Sequence, residues 1–169
     1  PQLNYFSRRH HCITFAARGY QPSDVPAEVE KYSQKRAADD VVAVLDAAGI
    51  DRAHVVGLSM GGFAALHVAL QHPDRVLSVL AAGTGYGAEK QFEGYFKGIS
   101  EQVAKNFAER GSEEFGAVYA EGASRVQFQN KDPRGWRLFA DRLRRHDALG
   151  AANTMRGVQM QRPSLYDLE

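Results

Sequence analysis

Ser59 lies in the pentapeptide 57–61 (GLSMG), which places a serine between two glycines at the spacing G-x-S-x-G. A further glycine, Gly62, follows the pentapeptide. A serine hydroxyl can attack an acyl carbonyl when a nearby base accepts its proton. The backbone N–H of the next residue, Met60, can then donate to the oxyanion that forms. The motif therefore predicts Ser59 as a nucleophile and Met60 as one oxyanion donor.

The segments on either side of the motif have the periodicity that such a site needs. The apolar run Val55–Leu58 predicts a strand buried on both faces, and Phe63–Gln71 predicts a helix. A strand that turns into a helix within a few residues forces the serine between them into a strained backbone conformation. Side chains at Gly57 and Gly61 are expected to collide across so tight a turn, so both positions are predicted to require glycine.

The rest of residues 1–83 alternates short apolar runs with helical patterns. Cys12–Ala17 and Val76–Ala81 are predicted strands. Between them, Ser33 is a predicted N-cap, and Gly49 stands where the C-terminus of the following helix needs a left-handed residue. This alternation predicts the α/β class, with parallel strands and flanking helices.

The stretch 54–62 (HVVGLSMGG), followed by 72–76 (HPDRV), resembles the nucleophile region of the α/β-hydrolase fold family. The residues Arg18–Tyr20 resemble the family's loop after its fourth strand, usually D-x-R-G-x-G-x-S. That loop departs from the pattern at Ala16 and Gln21. The resemblance implies a partial α/β-hydrolase fold, the middle portion of the domain, in which the serine of the motif is the nucleophile.

Residues 84–150 read differently, because no strand pattern recurs there. Aromatic and aliphatic residues between Phe92 and Phe107 follow helical spacing, and Gly111 is the predicted end of that helix. Asp132–Pro133 predicts an N-cap followed by proline at the first helical position. By resemblance, 1–83 is the partial core with the motif and 84–150 is a helical cap, while the residues from 151 to 169 return toward the core.

The family's catalytic order is Ser, then Asp or Glu, then His. His146 is the one histidine in that order, after Asp132 or Asp141, but it lies in an arginine-rich run that predicts a solvated helix face. His67 and His72 fall within and at the end of the helix after Ser59 and are predicted to be structural. The Asp–His pair and the second oxyanion donor are therefore expected outside these 169 residues.

The resemblance also implies a gap in the sheet. The family's third strand lies between the fourth and the fifth, so the predicted strands at Cys12–Ala17 and Val55–Leu58 would flank an unfilled position. Unpaired backbone groups in a buried sheet are costly. We therefore expect the chain to be a piece of a longer protein, inactive and poorly stable by itself.

The composition narrows the function class. Apolar residues make up 44% and charged residues 24%, with a net charge of +1, which argues against a nucleic-acid binder and a membrane protein. Cys12 is the only cysteine, which excludes an internal disulfide or a multi-cysteine metal site. We expect a cytoplasmic protein with a small-molecule acyl substrate and with neither cofactor nor metal. The oligomeric state stays open.

Three functions are compatible with these residues. The first is a serine hydrolase acting on an ester, a lactone or a related acyl substrate. Within enzymes, the same motif serves a cofactor-free perhydrolase or haloperoxidase, or a carbon–carbon bond hydrolase. From a different class, a non-catalytic α/β-hydrolase-like protein would bind a ligand only. Serine in place of aspartate argues against the family's haloalkane dehalogenase and epoxide hydrolase branches.

Overall fold

A computed structural model describes residues 2–84 and 90–167. Within those ranges helices alternate with two strands up to residue 82 and helices alone follow from residue 90. A π-helical segment, Thr154–Gln159, continues directly from the last α-helix. The helices are Gln2–Phe6 (α1), Gln34–Ala47 (α2), Met60–Gln71 (α3), Glu93–Ala120 (α4), Val126–Lys131 (α5), Pro133–Arg144 (α6) and Ala148–Asn153 (α7), and the strands are Ala53–Leu58 (β1) and Val76–Ala82 (β2).

The strands β1 and β2 form a parallel pair that α3 connects. In the register of the pair, Val55 is opposite Val79 and Leu58 is opposite Ala82. Helix α3 packs against both strands and α2 packs against α3. This strand–helix–strand unit confirms the α/β class and both strands predicted around Ser59. It also places Ser59 at the carboxyl edge of the sheet, where ligands bind in open α/β folds.

The predicted strand at Cys12–Ala17 is wrong. The two-stranded sheet of the described residues leaves this segment without a ladder partner. The side chains of Ile13 and Phe15 are 39% and 45% exposed. Apolar composition predicted burial, but a strand also needs a neighbouring strand to accept and donate its backbone hydrogen bonds. None of the described residues supplies that neighbour.

Helix α2 begins and ends as the sequence predicts. The Ser33 hydroxyl accepts a hydrogen bond from the Arg36 N–H at 3.1 Å. Gly49 follows the helix with a φ of 65°, in the left-handed region that glycine adopts without strain. Ala38 and Leu45 on its apolar face are buried. Helix α3 starts at Met60 rather than Phe63, because the chain turns into the helix immediately after Ser59.

The helical region, which we define as residues 90–153, has a core of its own. Phe107 and Phe115 meet edge to face with ring centroids 4.9 Å apart, and small residues of α4 and α7 close around them. Gly111, with φ 74° and ψ 167°, interrupts α4 where the helix was predicted to end, and the chain then turns into a second helical stretch. The Asp132 carboxylate accepts from the Gly135 N–H at 2.8 Å, as predicted for an N-cap. Among the described helices, none is long and apolar enough to cross a membrane.

Candidate active site

The backbone of Ser59 is in a conformation that non-glycine residues rarely adopt. Its φ is 53° and its ψ is −117°, and it is the one non-glycine residue with positive φ in the described ranges. The Ser59 N–H donates to the Ala82 carbonyl at 2.8 Å, while its carbonyl accepts from Gly62 at 2.9 Å and Phe63 at 3.2 Å. The strain of such a residue persists only where its surroundings fix it. Here β2 holds one side of the serine and the first turn of α3 holds the other.

Two of the three glycines around Ser59 are required by contact, and one is not. A Cβ on Gly57 would lie 2.0 Å from the Gly61 carbonyl oxygen, and a Cβ on Gly62 would lie 2.7 Å from Cγ2 of Thr84. A Cβ on Gly61 would meet no described atom within 4 Å. The predicted steric need for glycine at Gly61 is therefore wrong, because that position faces outward and the turn is crowded on the Gly57 side.

The hydroxyl-bearing residue lies on the surface, next to the start of a helix. Ser59 is exposed, and Met60, half-buried, is the first residue of α3. The first N–H groups of a helix have no partner inside it and carry the positive end of the helix dipole. The arrangement places Ser59 beside donors able to stabilise a negatively charged oxygen.

His67, within α3, and His72, at the C-terminus of α3, make no described hydrogen bond to Ser59. His67 is fully buried, and the Gln71 amide lies 3.4 Å from its Nδ1. Burial, and then the charge of Arg162, lower the pKa of His67. The His72 Nε2 lies 3.1 Å from Oδ1 of Asp39, a contact that joins the end of α3 to α2. The His72 side chain thus helps to pack α3 on α2, while Nε2 of the buried His67 has no hydrogen-bond partner among the described residues.

His146 is also engaged elsewhere. Its ring packs edge to face on Tyr20 with centroids 4.9 Å apart, and burial lowers the pKa of the imidazole. Of its two candidate carboxylates, Asp132 caps α6 and Asp141 is exposed. His54, which precedes the motif, has Nδ1 2.8 Å from the Ser78 hydroxyl. The described residues therefore place a serine at the turn without bringing a histidine–carboxylate pair to it.

The loop at Arg18–Tyr20 joins the core to the helical region. The Arg18 guanidinium donates to both carboxylate oxygens of Asp40, at 2.7 and 3.1 Å, and the hydrogen bond to Asp40 raises the pKa of Arg18. Gly19 has a φ of 90°. A Cβ added to Gly150, in α7, would lie 2.0 Å from the carbonyl oxygen of Gly19. This close approach fixes α7 against the loop.

One residue near the motif was missed by sequence reasoning. Arg162 is 8% exposed, and its Cζ lies 3.4 Å from the centroid of the Phe63 ring and 5.0 Å from that of Phe96. Burial lowers its pKa to about 10. The sequence holds no signal for this burial, since an arginine beside a proline in a polar run normally predicts an exposed position.

No group of three or more potential metal ligands occurs among residues 2–84 and 90–167.

Comparison with known proteins adds the family. The model of the alpha/beta hydrolase fold matches residues 2–167. A protein of Caulobacter vibrioides named "Putative carbamate hydrolase RutD" is 40% identical over 80 residues, which are 47% of this chain and 29% of that protein. The 3-oxoadipate enol-lactonase 1 of Acinetobacter baylyi is 32% identical over 84 residues, 50% of this chain and 30% of that protein.

Among solved structures, the enol-lactonase from Burkholderia xenovorans LB400 superimposes with a TM-score of 0.78 at 20% identity. The match covers 99% of this chain and 60% of that structure, and it shows a shared fold. The matched region thus spans less than a third of the length of these curated relatives and about three fifths of the solved one. From the family match and the strand–turn–helix geometry, we conclude that the chain belongs to the alpha/beta hydrolase fold family.

Proposed function

We propose that the protein is a serine hydrolase that acts on an ester, a lactone or a related acyl substrate. The observation that carries the proposal is the backbone of Ser59, held at φ 53° between β1 and α3 and exposed at the carboxyl edge of the sheet. A protein that used this serine only as a turn residue would gain stability from glycine there, because glycine adopts positive φ at no steric cost.

In the proposed reaction, Oγ of Ser59 attacks the acyl carbonyl carbon as a base takes its proton. The oxygen of the tetrahedral intermediate accepts a hydrogen bond from the Met60 N–H. The leaving group departs with a proton from the same base, and water then hydrolyses the acyl-serine. We place the base and its carboxylate outside the described residues, because no described hydrogen bond joins a histidine to Ser59.

The names of two of the relatives support acyl chemistry at this position. A carbamate hydrolase and an enol-lactonase both act at a carbonyl group attached to a heteroatom, which is the substrate class proposed here. Residues 84–150, which include most of the helical region, would then serve as a cap over the site. The core would extend over 1–83, and residues from 151 onward would return to it.

A ligand-binding protein without catalysis is the second candidate. The observation in its favour is that no described hydrogen bond joins a histidine to Ser59, although the serine itself is correctly presented. Wild-type protein that binds acyl compounds but never turns them over would establish this alternative.

Hydrolysis of p-nitrophenyl butyrate by the full-length protein tests the proposal. Ser59→Ala should lower kcat by about a thousandfold or more, since loss of a nucleophile removes the covalent route. Ser78→Ala is the matched control, because Ser78 is an exposed serine on β2 that contacts His54. Its kcat should stay within about twofold of wild type, as surface substitutions usually have small effects. Equal turnover by wild type and Ser59→Ala would overturn the proposal.

A further inference from the structure

The guanidinium of Arg162 is buried and lies over two aromatic rings. Phe63 of α3 covers one side, with its ring centroid 3.4 Å from Cζ, and Phe96 of α4 lies 5.0 Å away. Nη1 of Arg162 donates to Oε1 of Gln159 at 3.4 Å. Three contacts therefore fix the plane and the direction of the group at the junction of the core and the helical region.

The opposite edge of the same guanidinium makes no hydrogen bond to the described residues. Nε and Nη2 of Arg162 are buried and have no hydrogen-bond partner among the described residues. A buried donor left without a hydrogen-bond partner is destabilising, so a ligand that accepts from both nitrogens would be favoured here. These two nitrogens form the edge through which arginine donates two parallel hydrogen bonds to a carboxylate.

Arg162 carries a positive charge at this edge. Burial lowers the pKa of Arg162 to about 10, so the group is still charged at neutral pH. Burial, and then the charge of Arg162, lower the pKa of the neighbouring His67, which favours a neutral imidazole there. An anion at the edge would pair with the buried charge of Arg162.

We infer that the Nε/Nη2 edge of Arg162 binds a carboxylate carried by the acyl substrate, so that the preferred substrates are monoesters or lactones of dicarboxylic acids. This inference rests on the proposed function. Phe63, which stacks on the guanidinium, follows Ser59 by four residues, one helical turn or about 6 Å along α3. One end of a substrate would thus be held by Arg162 while its carbonyl reaches the serine.

Access to the edge requires the first turns of α4 to move. Nε and Nη2 are closed to solvent, but Phe96 is only half-buried and Tyr95 is 63% exposed. The first fully buried residue of α4 is Ser100. Segments with few buried contacts open at small free-energy cost. Entry of a carboxylate between α3 and the start of α4 is therefore the expected route.

Substrate selectivity in the full-length protein tests the inference. Wild type should prefer p-nitrophenyl hydrogen glutarate to p-nitrophenyl butyrate in kcat/KM, and Arg162→Met should reduce this preference at least tenfold. Methionine keeps an unbranched apolar side chain over the rings and removes the charge. Arg156→Met is the control, because Arg156 lies in the same segment and pairs at the surface with Glu101. It should leave the preference unchanged.

A binding experiment without turnover tests this inference separately from the proposed function. Calorimetry of glutarate with full-length Ser59→Ala measures the site without turnover, and Arg162→Met in that background should weaken binding at least tenfold. Pentane-1,5-diol, the uncharged counterpart, should bind neither protein. If the wild type shows no turnover of either ester but Ser59→Ala still binds glutarate through Arg162, the hydrolase proposal is wrong and the carboxylate site remains. If Arg162→Met lowers the melting temperature but changes neither selectivity nor glutarate binding, the partner of Arg162 is a carboxylate of the protein itself, and the inference is wrong.

Discussion

The β1–α3–β2 unit and the helical region reach their packing by opposite means. In the first, backbone meets backbone, and the positions around Ser59 leave no room for a side chain at Gly57. In the second, side chains fill the space, with Phe107 and Phe115 in edge-to-face contact at the centre and small residues around them. The proposed function depends on the first kind of packing, since only a fixed backbone can hold a strained serine. The second kind tolerates a change of sequence as long as volume is conserved.

The largest effect is expected from Gly57→Ala. A Cβ there would lie 2.0 Å from the Gly61 carbonyl oxygen, which is backbone and cannot turn aside. Urea denaturation of full-length protein should show a loss of about 4 kcal/mol or more in the free energy of unfolding. Gly61→Ala is the matched control, with no described atom within 4 Å of the new Cβ, and should change stability by less than about 1 kcal/mol. Equal losses in the two variants would show that the turn is not held by this contact.

Phe107→Ala probes the side-chain packing of the helical region. Phe107 is 2% exposed and contacts both Phe115 and Tyr119. Removing its ring should cost about 3–4 kcal/mol in the free energy of unfolding, from lost burial and the cavity that remains. Labelling of Ser59 by a fluorophosphonate at a temperature where the variant is folded should proceed at the wild-type rate. A labelling rate lowered tenfold would mean that the two regions are not independent.

Two glycines within α4 allow the effect of a steric contact with the backbone to be separated from the effect of helix propensity. A Cβ on Gly116 would lie 2.9 Å from the Leu143 carbonyl group, where α4 crosses α6, so Gly116→Ala should destabilise by about 1–3 kcal/mol. At Gly98 no described atom lies within 4 Å of an added Cβ, so a substitution there should stabilise the protein instead. Gly98→Ala is expected to stabilise by about 0.5–1 kcal/mol through helix propensity. Thermal unfolding would refute the distinction if both variants moved in the same direction.

The smallest effect concerns pH. Burial lowers the pKa of His67 in α3 and of His146 after α6, so the unfolded chain takes up protons first as the pH falls below about 6.5. The stability that these neutral imidazoles contribute is complete above that pH and is lost as the pH falls through their folded-state pKa. His67→Gln and His146→Gln should each flatten the decline of unfolding free energy between pH 7 and 5. His67 should have the larger effect because it is fully buried and near Arg162. Slopes identical to wild type would contradict this origin.

The same contrast explains what the sequence could predict. The strained backbone of Ser59 and the close contact at Gly57 were predictable because steric rules act between near neighbours in the chain. The caps at Ser33 and Asp132 obey equally local rules. The strand at Cys12–Ala17 was not predictable from its composition, because pairing depends on a second strand far away in the sequence.

Burial of Arg162 depends on Phe63 and Phe96, which lie 99 and 66 residues before it in the chain, and no local pattern encodes such a meeting. Gly61 is a case in which the motif predicted a steric contact that the structure does not show. A glycine can satisfy a pattern without a contact that requires it.

If Ser59 is a nucleophile and not only a residue at a turn, a fluorophosphonate should label it covalently. Full-length protein is treated with the reagent, digested and mapped by mass spectrometry. We expect one stoichiometric adduct, on the peptide that contains Ser59, and no adduct in Ser59→Ala. An unlabelled wild-type protein, or an adduct that persists in Ser59→Ala, would contradict this role of Ser59.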